Sequence, residues 1–426
     1  MKKLLKFYAL ISKAVRKFQM KTRHYRLLVF SLRRTLKRQR LGKCKIRKEF
    51  KDCIFVPGNF SLNRLFLNKI DLSSGKILKN TYSGGGHGHS VVISAEAQKG
   101  WLIPENGYFI TEFELDTLKP VGVIKPDKDV MGGHGSCSQN GRKLYFVDRG
   151  LNDSTLESSL IIFDTDTRKV LRKVDNIGIF AHDVQITSDE RLAIVASYGQ
   201  IFFFVGQAKN ARFSRKNLMV RKPSFAVIDI ESGKILQKHI FDSNFALSHA
   251  VVDSTGKAAY VQGTLTEIMN GKKEKEIGCI IKKRGIALTQ EEKHRGTIFL
   301  NGVQFKINLE NFTVQKLKQP LFYRTQSLAF SEKLNEIYES HAISRKITVI
   351  DANSYVLKRV IDCAHAGVSD PRGLALTHDS KFLVITNRWK NIYFFDIEKG
   401  QIAEDMTFAS YNWLNSHISI CPSSID

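Results

Sequence analysis

One unit recurs along this chain: a short apolar run that ends in Asp or Asn and passes into a polar turn. It occurs at Asp71, Asp116, Asp164, Asp229, Asn308, Asp351 and Asp396. Asp and Asn favour such turns because their side chains bond backbone N–H groups two residues on, and Gly takes the positive-φ position in Asp71-Leu-Ser-Ser-Gly and Asp229-Ile-Glu-Ser-Gly. Four of the six intervals are between 43 and 48 residues; the other two, 164 to 229 and 229 to 308, are longer and must hold insertions. The fullest copy, 132 to 174, divides into four short runs separated by turn residues, which read as four consecutive antiparallel strands. Four strands repeated every 40 to 50 residues or so are the signature of a β-propeller. Seven copies predict an all-β, seven-bladed ring.

The ends of the chain indicate how the ring closes. Three strands (53 to 56, 64 to 70, 76 to 82) precede the Gly-rich link Ser83-Gly-Gly-Gly-His87-Gly-His89, six full sets of four follow, and one strand, 416 to 421, is left over. Three N-terminal strands plus one C-terminal strand complete the seventh blade, because closure removes exposed sheet edges. Ile418 to Cys421 is expected to pair beside Ile54 to Val56. Repeats of this kind form one domain whatever their length, so residues 51–426 are expected to be a single propeller. The insertions, 198–222 and 264–296, both fall between second and third strands and should emerge on one rim.

Charge separates the first fifty residues from the rest. The net charge is +25, yet residues 1–50 hold 18 Lys and Arg against one acid, Glu49, leaving only +8 for the other 376 residues. Leu4, Phe7, Tyr8, Ile11, Val15 and Phe18 recur at three- and four-residue steps among Lys and Arg, so 1–50 reads as a basic amphipathic arm. Its expected partners are an anionic membrane surface or nucleic acid. The stretch has neither the apolar length of a membrane span nor the pattern of a signal peptide, which points to a cytoplasmic or membrane-peripheral location. Six cysteines without a Cys-x-x-Cys spacing read as free thiols, with Cys53 and Cys421 singled out because the proposed closure brings their strands together.

Gly133-His134-Gly135 leading through Ser-Gln-Asn-Gly to Leu144-Tyr145, then Gly178-Ile-Phe-Ala-His182-Asp183, Asn217 to Ser224, and Leu247-Ser-His249, resemble the uncharacterised bacterial propeller family known as domain of unknown function 1513. The resemblance covers roughly residues 84 to 265. More loosely, the chain is similar to YVTN-repeat seven-bladed propellers. The likeness implies a seven-bladed fold and no particular chemistry; it also implies export, with the periplasm as the alternative location.

In a propeller the innermost strands run in one direction along the central channel, so their first residues converge on one mouth. Those starts hold His87, His89, His134, His182 with Asp183, His249 and His417, with Gln326 and Arg372 at the corresponding places of the two remaining blades. Imidazoles ligate first-row transition metals, and Arg372 favours a small anion. Strand side chains alternate between faces, and His89 and His182 are one residue out of step with His134, His249 and His417; three of the histidines are therefore expected to face the channel together. A structural reading competes: such histidines also cap blade junctions by bonding neighbouring backbone or acidic groups.

No nucleophile elbow, phosphate loop or dinucleotide fingerprint is present. The reading that asks least of the sequence is a non-enzymatic binding or scaffold propeller with a metal, a small ligand or a protein partner at a histidine-lined mouth. A propeller enzyme, either a lactonase-like hydrolase or a metal-dependent oxidoreductase, is the alternative, and association through the arm is a third.

Overall fold

The computed structural model describes residues 51–426 apart from 62–63, 84–85, 126–129, 151–156, 200–221, 242–244, 270–271, 389–390, 410–416 and 423–426. The arm at 1–50 and nearly all of the insertion at 198–222 lie outside the described residues.

Seven antiparallel sheets form the propeller. Blades one to six take residues 87–124, 131–174, 181–240, 245–316, 325–362 and 371–409 in order, and the closing blade joins Ser419–Pro422 to the three strands between 52 and 83. In that blade Cys53 lies directly opposite Cys421 and Ile54 opposite Ile420. The first strand of each blade packs on the first strand of the next, and Ser419–Pro422 lies between Pro371–Leu376 and His87–Ser94.

The repeated turn works as its composition demands. Asp71, Asp164, Asp229, Asn308, Asp351 and Asp396 each accept a backbone N–H from two or three residues on. Blade one departs from the pattern: Glu114 ends the third strand there and carries the turn's backbone bonds, whereas Asp116 pairs with Lys69 at 3.2 Å. The repeat marker in that blade is therefore Glu114, two residues before the Asp that the sequence pattern picks out.

The core lies between blades, not within one. Phe225, Val227, Leu247, Val261 and Phe305 join blades three and four, and Trp101, Ile103, Leu144 and Phe146 join blades one and two. The middle strands are buried on both faces and read as apolar runs such as Leu-Ala-Ile-Val-Ala-Ser. The fourth strands form the rim and expose Val121, Val170, Leu171 and Val360.

Blade four carries the described insertion. Its second and third strands extend to Ile268 and from Thr297, and between them stand two helices, α1 (Glu274–Arg284) and α2 (Gln290–Arg295). Thr289 caps α2 by accepting the Glu292 N–H while Glu292 reaches back to the Thr289 N–H, a reciprocal capping box.

Candidate metal centre

Six of the innermost strands break register near their first residues: after Gly88, Met131, Ala181, Leu247, Thr325 and Pro371. Such a bulge leaves a residue unpaired and re-aims its side chain. His89 and His182 are themselves the unpaired residues, whereas in blade four Ser248 is unpaired and His249 stays in the ladder. The bulges absorb the one-residue difference. Five of the histidines, rather than the three expected, are brought together.

His89, His134, His182, His249 and His417 stand with ring centroids of neighbouring pairs 4.4 to 5.0 Å apart. Two triads, His89/His134/His417 and His134/His182/His249, bring their ligating nitrogens within 4.8 Å of one another, and His134 belongs to both. Glycine makes this convergence possible. Gly133 has φ +116°, and a Cβ there would lie 2.7 Å from the His89 ring; a Cβ on Gly373 would lie 2.8 Å from the His417 Cα.

The Nδ1 atoms of three rings face a carbonyl or a carboxylate, at hydrogen-bond distance only for His182. His182 Nδ1 lies 2.7 Å from the Gly132 carbonyl and 3.2 Å from the Arg149 guanidinium, which itself donates to that carbonyl at 2.9 Å; the shorter contact, to an oxygen that can only accept, makes Nδ1 the donor and leaves the lone pair on Nε2. His249 Nδ1 is 3.6 Å from Asp183, whose carboxylate also accepts the Ala250 N–H; His89 Nδ1 is 3.7 Å from Glu105. Arg149, 1% exposed, bonds Glu105 and stacks over Phe180, while His182 stacks on Tyr198. On the inner side, His89 Nε2 and His182 Nε2 are 3.4 Å apart, and the buried His134 Nε2 has no hydrogen-bond partner. Burial first, and then neighbouring imidazoles and Arg149, hold His134 and His182 well below the ordinary histidine pKa; burial and surrounding histidines do so for His89, and burial with His249 and Arg372 for His417. Neutral imidazole is the ligating form.

The remaining candidates stand apart from the five. His87 is half-buried, its ring 6.0 Å from His89, and belongs to neither triad. Asp183 supports His249 from behind. Gln326 and Arg372 bond each other at 2.9 Å within a separate ionic group. Glu105, Arg149 and Tyr198 are not at the starts of first strands and carry no signal there. They lie at or just past the ends of second strands, which antiparallel pairing returns to the same mouth.

Residues 86–297 match the family described as protein of unknown function (DUF1513). That span holds four of the five clustered histidines; His417 lies beyond it. No curated protein matches the chain in sequence. Among solved structures, a functionally unknown protein from Desulfotomaculum acetoxidans is similar with 13% identity and TM-score 0.55, covering 87% of this chain and 99% of that one. Hydrazine synthase of Kuenenia stuttgartiensis is similar with 13% identity and TM-score 0.52, covering 84% and 96%. At such identities the likeness is one of fold.

Proposed function

We propose that this propeller of unknown function is a metal-binding one, and that its channel mouth takes a first-row transition metal ion on the five-histidine cluster. The observation that carries the reading is the donor geometry. Five imidazoles from five blades bring nitrogens close to one another in a buried site where a lone pair without a partner costs about 1–3 kcal/mol, and three of them have carboxylates or a carbonyl behind their Nδ1 atoms. Ligating histidines are commonly oriented by such outer partners, which also raise their basicity. An all-nitrogen set suits zinc, copper, nickel or iron(II) and suits magnesium or calcium poorly. Three imidazoles on one ion leave coordination positions for a small ligand. That gives a binding propeller its ligand site without further machinery.

The test is metal content by mass spectrometry on protein purified without a histidine tag, loaded with each metal in turn and desalted. About one ion per chain is expected in the wild type and none in His134→Ala, which breaks both triads. Retention of the ion by His134→Ala, or no ion in either protein, overturns the reading.

A further inference from the structure

A second cluster, of three arginines and two carboxylates, lies near the imidazoles, with Arg372 close enough to act on His417. Glu291 of α2 accepts from Arg324 at 2.5 Å, Arg388 at 2.7 Å and Arg372 at 3.0 Å. Asp370 holds Arg372 at 3.2 Å and Arg388 at 3.7 Å. The arginines come from the start of blade five, the start of blade six and the end of blade six's second strand, all at the mouth that carries the histidines. A cavity of about 380 Å³ opens here, with Thr289, Glu291, Arg324, Arg345, Ser369 and Arg388 in its wall.

The structural explanation, that Glu291 merely anchors the insertion, is weakened by a second and more deeply buried anchor. Arg284 of α1 is bound to Glu292 and to the Phe299 and Ala287 carbonyls, and both side chains are almost fully buried. The insertion is tied down without Glu291. Guanidinium cannot shed its charge as a buried imidazole does, so three arginines in one site require anions. Against burial, Asp370 and Glu291 push Arg372 up, whereas burial and Arg372 pull Arg388 down to about 10; by formal charge, three guanidinium groups face two carboxylates. Planar guanidinium groups arranged about one carboxylate are a recognition geometry for carboxylate and phosphate.

We propose that Arg324, Arg372 and Arg388 form a binding site for a small oxyanion ligand at the channel mouth, and that Glu291 occupies it as an internal stand-in for the ligand's carboxylate. The site needs no metal and so goes beyond the reading above. Glu291 competes with any external anion, and the apparent affinity is reduced by the fraction of time it is seated. Its removal exposes the arginines.

The experiment is calorimetric titration of the full chain with succinate and with inorganic phosphate, in the presence of a chelator so that a failure of the metal reading does not bear on it. Glu291→Gln is expected to bind one of the two at least about tenfold more tightly than the wild type, and Arg388→Gln in the same background to abolish the gain. The preferred probe tells a carboxylate-bearing ligand from a phosphate-bearing one. Should Glu291→Gln fail to fold, Glu291→Asp, which keeps the charge but withdraws it by one methylene, must show the same tightening. No tightening in whichever variant folds, or tightening that survives Arg388→Gln, overturns the proposal.

Discussion

Near the start of their innermost strands, five blades carry a histidine of the cluster, while blades five and six carry Gln326 and Arg372. The backbone is alike in both groups, with the register break recurring at Gln326 and at Arg372. The chemistry is opposite. A buried imidazole escapes the cost of desolvation by giving up its proton, as the lowered pKa values of His89, His134, His182 and His417 reflect. A buried guanidinium has no such escape, and that side of the mouth gains Glu291 from the helical insertion and Asp370 from the strand start. The same position in a repeated fold thus yields a metal-type site or an anion-type site according to whether its side chain can become neutral.

Acid should separate the two halves most strongly. His89, His134, His182 and His417 have folded pKa values below the 6.5 of the unfolded chain, so the unfolded state takes up the extra protons. Their contribution to stability is complete above pH 6.5 and is lost as the pH falls below it. Four such groups give a slope of up to about 5 kcal/mol per pH unit, measurable by urea unfolding of metal-free protein between pH 7 and pH 5. His134→Gln should flatten the slope, whereas Arg372→Gln, which removes only a lesser contribution at His417, should leave most of that proton uptake in place. An equal slope in wild type and His134→Gln would break the distinction.

Removing the imported carboxylate tests the ionic half. Glu291→Ala leaves three buried guanidinium groups with Asp370 as the acid bonded to two of them, and should cost about 3–5 kcal/mol in urea unfolding at pH 7. The arginines keep their charge throughout that pH range, so the loss should be the same at pH 7 and pH 6. Gly133→Ala should cost less, roughly 1–3 kcal/mol. It places a methyl group against the His89 ring at a backbone angle that only glycine adopts comfortably, and should weaken metal binding while leaving the anion titration unchanged.

The repeat was legible because turn chemistry at Asp164, Asp229 and Asp351 is local, and a local signal survives in one sequence. In blade one the pattern picks out Asp116 because the residue that carries the turn, Glu114, is not an Asp or Asn. The histidines were legible as strand starts, but their common direction was not. Alternation of side chains assumes an unbroken ladder, and the ladder is broken by bulges at His89, His182 and Ser248 that the apolar pattern of a single strand does not mark. Glu291 was hidden in a stretch that reads as a charged loop. One topological consequence could have revealed it: a connection between second and third strands emerges at the mouth where first strands begin.

The smallest expected effect discriminates best. Glu105 lies behind His89 and is bonded to Arg149 at 2.9 Å. Glu105→Gln keeps the shape and an oxygen for Arg149 but removes the negative charge that makes the imidazole a better donor. Outer-shell changes of this kind weaken metal binding by about 10- to 100-fold, and the lower end is expected because Glu105 stands 3.7 Å from the ring. Competition against a chromophoric chelator reads that loss, and succinate titration of the Glu291→Gln, Glu105→Gln double variant should match that of Glu291→Gln alone. Glu291→Gln should in turn leave metal affinity unchanged. If each substitution moves only its own ligand, the mouth holds two sites that act independently. If Glu105→Gln weakens both, the imidazoles and the arginines belong to one coupled site.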